Sequence, residues 1–269
     1  VLIGFKDYSS KLGILGSPWY GLGHFQWFFS RPSFYAILWN TIRISLYSFA
    51  TFPCAIIFAL MINELTNRAF KKTVQMISYM PHFISTVVVC SMIHMFFNAS
   101  TGVVNQIIRS LGGQPVEFLY STSAFDHLYI WSGVWQGLGW GTIIYLANLS
   151  NVSPDLIEAA RLDGASRMDI VIHVNIPTIL PTIVIMLILR IGSIMGVGFE
   201  KVFLLQTQRN ISVSRVISTY VYELTLGSGG STTYWDTSTA IGLFNSIVNL
   251  LLIIMTNTIA RRISEITLW

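Results

Sequence analysis

The stretch Ser153-Pro154-Asp155-Leu156-Ile157-Glu158-Ala159-Ala160-Arg161-Leu162-Asp163-Gly164-Ala165-Ser166-Arg167-Met168-Asp169 decides the fold. It is a polar interlude in an otherwise apolar chain. Ser153 fits a helix N-cap, Pro154 the first helical position, and Asp155 the positive end of the helix dipole. A short helix is predicted to run to Asp163, where Gly164 supplies the left-handed residue that ends it. Ser166 and Asp169 form a second capping signal and start another helix. That helix feeds Val174-Asn175-Ile176-Pro177 and a long apolar run. Ala159 and Ala160 keep one face of the first helix thin enough to sit in a groove. The expectation is a short helix, a glycine turn, and a helix that returns to the membrane.

The surrounding composition demands a membrane. The chain has 269 residues, 53% of them apolar and only 10% charged. Soluble domains carry about 25% charged residues. The mean hydropathy is +0.61. These values define an all-α polytopic bundle, read as one transmembrane domain over 1–269 with a cytoplasmic loop at 151–170. Cys54 and Cys90 sit in separate apolar runs and form neither a disulfide framework nor a metal site. The opening Val1-Leu2-Ile3-Gly4-Phe5 reads as the tail of a longer apolar segment, so a preceding helix is expected.

Apolar runs long enough to span a bilayer are expected at Asn40–Asn63, Thr73–Phe97, Leu128–Leu149, Val171–Val197 and Ser238–Ile259. Pro53 predicts a bend in the first. Glu64–Lys72 reads as a polar loop. Lys6–Arg31, rich in glycine, tryptophan and tyrosine, reads as an interfacial segment. Gly227-Ser228-Gly229-Gly230-Ser231 closes a long mixed connection. Positive charge is dense after the first, third and fifth spans: Arg68, Lys71 and Lys72; Arg161 and Arg167; Arg261 and Arg262. The opposite connections dilute theirs with Glu117, Asp126, Glu200, Glu223 and Asp236. The positive-inside rule therefore puts the Glu158 loop and the C-terminus in the cytoplasm, and Asn98–His127 and Gly198–Thr237 outside.

Chemistry is sparse. Lys72-Thr73 follows Phe70-Lys71 and lacks the glycine turn that cradles phosphate, so the chain does not hydrolyse ATP by itself. There is no HExxH, CxxC or nucleophile elbow. Arg190 lies inside the fourth span, where a charge faces a bundle interior or a wet cavity. A structural partner, either Glu200 or a helix end, is an equal alternative. Arg43 is expected to snorkel from the end of its span. Asn245 and Asn249, four apart, line a solute path or hydrogen-bond neighbouring helices. Trp135, with Gln136 beside it, offers an aromatic face to a sugar, against the default of an interfacial anchor.

The Glu158 loop resembles the EAA loop of binding-protein-dependent ABC importers. Glu158, Ala159, Ala160, Gly164 and Pro177 match that pattern in register, with Val174 and Ile176 as conservative replacements. Asn63-Glu64-Leu65, Ser78-Tyr79-Met80-Pro81-His82-Phe83-Ile84-Ser85, Gly198-Phe199-Glu200-Lys201-Val202-Phe203-Leu204-Leu205 and Ile259-Ala260-Arg261-Arg262 are similar to the LplB-type sugar permeases. The resemblance implies the type I importer permease fold, with a six-helix core whose first helix is truncated here. Glu158, Ala159, Ala160, Asp163, Gly164 and Pro177 would couple the chain to a cytoplasmic ATPase dimer. That partner would bind ATP and Mg; no cofactor is expected on this chain. A second homologous permease, an extracytoplasmic solute-binding protein and the lipid bilayer complete the expected partners, with no nucleic acid. The implied location is the bacterial cytoplasmic (inner) membrane. The implied substrates are oligosaccharides, including uronate polymers such as alginate, along a path that could include Arg190, Asn245, Asn249, Trp135 and Gln136. Alternatives are an importer for peptides or another solute class, an ion-coupled transporter, and a polytopic membrane enzyme. The last would need ionisable residues clustered at one depth, and the sequence shows only scattered ones.

Overall fold

The computed structural model describes residues 1–227 and 234–264, with side chains described up to Arg261. The Ser228–Ser231 part of the glycine-serine segment and the side chain of Arg262 lie outside the described residues. Among the described residues the chain is helical, and an isolated bridge between Lys6 and Trp19 is its β-type pairing. Contacts divide it into two units. One comprises Val1–Tyr47, Thr86–Ile130 and Gly192–Leu252; the other comprises Ser48–Ser85, Trp131–Ile191 and Ile253–Trp269.

The first unit is built on Phe28, Ile37, Met195, Ile217 and Ile241, all buried. The polar side chains of its first long helix are spent on the connection that begins at Asn210. Asn40 donates to the carbonyls of Ser212 and Arg215, and Thr41 accepts from the Ile217 N–H. Arg43 donates to the Val213 carbonyl and pairs with Asp126, Nε to Oδ2 at 2.7 Å. Sequence reasoning let Arg43 snorkel; instead a carboxylate from far along the chain holds it.

The second unit packs around Ala59, Tyr145, Leu149 and Ile179. Helix Phe34–Ala50 ends and Phe52–Asn63 begins at Thr51, two residues before Pro53. The pyrrolidine ring lacks an N–H and clashes with the preceding turn, so the expected interruption falls here.

The second apolar run departs from expectation. Glu64–Lys72 is not all loop, and Thr73–Phe97 is not one straight helix. A helix already starts at Arg68, capped by the Asn67 side chain accepting from the Phe70 N–H, and runs to Tyr79. A 3-10 turn, Met80–Phe83, leads to a separate helix, Thr86–Phe96, and the two helical parts are bent by 96°. Hydropathy averages over a window and does not register the break that Pro81 makes. Three helical stretches among the described residues are long and apolar enough to cross a membrane: Phe34–Asn63, Arg167–Gly192 and Trp235–Arg261. The bent pair makes a fourth if counted as one span. Ala124–Leu149 forms the expected long helix, but its glycines, serine, glutamine and tryptophans keep it less apolar than these. Gly139 on that helix lies against Ser78. A Cβ there would sit 2.1 Å from the Ser78 carbonyl oxygen, so only glycine permits this approach.

Candidate functional site

The Glu158 loop folds as its local signals dictate. Ser153 is extended at the N-cap, although its hydroxyl makes no capping bond, and Pro154 opens a helix that runs to Leu162. Gly164 has φ +84°. Its N–H donates to the Arg161 carbonyl and the Ala165 N–H to the Ala160 carbonyl, at 3.0 and 2.9 Å. These two bonds make a Schellman motif, which satisfies carbonyls that the helix end leaves orphaned. A Cβ on Gly164 would meet nothing within 4 Å, so what requires glycine is the torsion and not space. The next helix carries the expected capping box: the Asp169 N–H donates to Ser166 Oγ and the Ser166 N–H to Asp169 Oδ2.

The surface this creates is unusual for a solvent-facing loop. Glu158, Ala159 and Asp163 are exposed and Ala160 is half-buried. Leu156, Leu162 and Met168 are 58%, 89% and 64% exposed. Large apolar side chains around two small ones form a face suited to docking on another protein. Ile170 and Asn175 anchor the other side, both buried. Between them, Val171–Asn175 is a π-helical turn that leads into Ile176–Gly192, with Pro177 in its first turn. Neither amide atom of Asn175 has a hydrogen-bond partner, although the residue is 1% exposed. Sequence reasoning passed over Asn175; its place between Val174 and Ile176 was the available signal.

Of the expected path residues, Trp135, Gln136 and Arg190 belong to the second unit and Asn245 and Asn249 to the first. Arg190 Nη2 donates to the Ser48 carbonyl at 2.7 Å and to the Ser48 hydroxyl at 3.0 Å. It thus braces the carbonyl just before the proline break, the helix-end role weighed from sequence. Gln136 Nε2 donates to the Ile84 carbonyl at 2.7 Å, within the bend between Phe83 and Thr86. Trp135 is exposed. In the first unit, Asn249 Oδ1 accepts from the Met195 N–H, while Asn245 Oδ1 is buried with no hydrogen-bond partner. One cation went unnoticed in the sequence. Lys201 is held with Nζ 5.2 Å from the Tyr129 ring centroid, and burial pushes the pKa of its ammonium down to about 8. No carboxylate pairs with it among the described residues.

Long apolar helices interrupted by a capped, exposed polar loop fit a membrane transport subunit. The chain belongs to the family of binding-protein-dependent transport system inner membrane components, whose sequence model matches residues 51–265. It is therefore a multi-pass inner-membrane permease subunit, a transport component and not an enzyme. It is 40% identical over 266 residues to Protein LplB of Bacillus subtilis (strain 168), covering 98% of this chain and 82% of that one. The polygalacturonan/rhamnogalacturonan transport system permease protein YteP of the same organism is also 40% identical, with the same coverage. Among solved structures, a chain of a bacterial alginate ABC transporter, in complex with an alginate pentasaccharide-bound periplasmic protein, matches with TM-score 0.88 and 38% identity. That match covers 92% of this chain and 85% of the other. A second structure, of a bacterial ABC transporter that imports the acidic polysaccharide alginate, matches at 0.89 with 37% identity, over 98% and 87%.

Proposed function

We propose that this permease subunit imports acidic oligosaccharides, fragments of uronate polymers of the alginate or polygalacturonan kind. The observation that carries this reading is the near full-length similarity to permeases of two systems whose named substrates are both polymers of sugar acids. An extracytoplasmic solute-binding protein delivers the fragment. A second permease subunit completes the path, and a cytoplasmic ATPase dimer supplies the energy.

In this reading Glu158, Ala159, Ala160 and Asp163 dock on the ATPase, with Leu156 and Leu162 as the apolar anchors. Gly164 keeps the docked helix at a fixed angle to the helix that starts at Arg167. Closure of the ATPase dimer moves the loop, and the capping box, π-turn and Pro177 pass the movement to Ile176–Gly192. Arg190, Trp135 and Gln136 in the second unit and Asn245 and Asn249 in the first are the side chains assigned to the path in this reading. Arg190, Gln136 and Asn249 also brace backbone groups, which leaves Asn245 as the polar side chain most available to a hydroxyl. In the first unit Lys201 adds a cation for a uronate carboxylate.

The test is ATPase activity of the purified complex in proteoliposomes with its solute-binding protein. Uronate oligosaccharides should stimulate turnover and accumulate inside, and neutral glucan oligosaccharides of equal length should not. Equal stimulation by both would remove the acidic-substrate reading and leave the permease assignment standing.

A further inference from the structure

The segment Arg68–Phe83 is too polar for a span and too apolar for a solvent-facing loop. At about 100° per residue, Arg68, Lys72, Gln75 and Tyr79 fall on one arc of the helix, with Lys71 at its flank. Phe70, Val74 and Ile77 fall opposite, and Phe70 and Ile77 are 55% and 61% exposed. The segment contains three cations and no acidic residue. None of the three forms an ion pair among the described residues. The 96° bend means that this helix does not share the direction of Thr86–Phe96. A groove of about 380 Å³ runs along the segment, lined by Lys72, Gln75, Met76, Tyr79, Met80 and Phe83. Its lining grades from a cation and an amide through a phenol to apolar side chains.

We propose that Arg68–Phe83 is an interfacial element of the cytoplasmic leaflet and that its groove binds an anionic phospholipid. The phosphate lies against Lys72 and Gln75, and an acyl chain runs over Met76, Met80 and Phe83. Charge complementarity selects this occupant: clustered cations beside exposed apolar side chains match a headgroup above its acyl chain. A protein partner would instead need to bury three uncompensated cations. Lipid binding at this groove is independent of which sugar is carried.

The full chain, with whatever subunits co-purify, is placed in nanodiscs of phosphatidylcholine with or without phosphatidylglycerol. Lipids retained on release are then counted by native mass spectrometry. Phosphatidylglycerol should be retained over phosphatidylcholine. Lys72→Gln should weaken its retention about fivefold, the worth of one cation near an anionic surface, while Lys72→Arg should preserve it. A spin label on Ile77→Cys, with Cys54 and Cys90 replaced, should be reached by oxygen and not by a water-soluble nickel chelate. Equal retention of both lipids, or unchanged retention in Lys72→Gln, would overturn the proposal. So would a label at position 77 shielded from both reagents, since another subunit would then cover the face.

Discussion

At the scale of single residues, Gly164 and Lys201 make the sharpest demands. Gly164→Val forces a β-branched side chain into positive φ, a cost on the order of 1–2 kcal/mol. It should leave the subunit in the membrane while ATPase co-purification and uptake fall together; normal uptake would show that the turn is dispensable. Lys201 titrates at about 8 in the fold, against 10.5 for a free lysine. Between those values the unfolded chain holds a proton that the fold has released, so stability rises with pH across that window. Lys201→Met should raise the melting temperature below pH 8 and flatten the rise above it. A variant whose melting curve keeps the wild-type pH dependence would place the titration elsewhere. Gly164 was legible in the sequence because a Schellman turn is set by residues adjacent in the chain. Lys201 was not, because its burial depends on Tyr129, a residue from a different helix.

At the scale of elements, the same distinction between local and distant causes recurs. The caps at Ser166 and Asn67, the helix start at Ser153-Pro154 and the break at Pro53 are all set by neighbours within a few positions. The break after Tyr79 was missed because a proline within a long apolar run reads as a mere kink. What supports each break is remote: Gln136 reaches Ile84 across 52 positions, and Arg190 reaches Ser48 across 142. A sequence taken alone pairs neither. Hydrogen bonds from a charged donor contribute about 1.5–3 kcal/mol each. Arg190→Gln should therefore lower the melting temperature of the purified complex and slow uptake of uronate oligosaccharides of every length alike. Slower uptake at unchanged melting temperature would instead put Arg190 in contact with cargo.

At the scale of the whole molecule, ion pairing does not separate the two units. Arg43, Arg209 and Arg215 of the first unit each pair with a carboxylate. Lys6, Lys11, Arg31, Arg109 and Lys201 of the same unit form no ion pair among the described residues, and neither do Arg68, Lys71, Lys72, Arg161 and Arg167 of the second. The topology rests instead on lysines and arginines crowded into short segments near span ends, which is what the positive-inside rule counts. A cysteine at Ser110, with Cys54 and Cys90 replaced, should thus react with an impermeant thiol reagent from the outer side. Labelling from the cytoplasmic side alone would invert the topology and with it the docking of the Glu158 loop.

The π-turn at Val171–Asn175 has one more consequence. A π-turn accommodates an extra residue inside a helix that is otherwise α. Removing one residue there, Ile172 for instance, would let the turn relax to α geometry and leave Ile176–Gly192 with its side chains facing as before. The residues on the N-terminal side would keep their facing too, because the wide turn holds one more residue than an α-turn for about the same rotation. The shortened chain should therefore insert and keep uptake coupled to ATP hydrolysis; uptake lost at normal insertion would show that the wide turn itself is needed. Insertion of one alanine after Asn175, with no wide turn left to absorb it, should turn one side against the other by roughly 100° and abolish uptake. In the proposed coupling, the wide turn is a reserve of one residue, and the phase between the docked loop and the membrane helix is the gear.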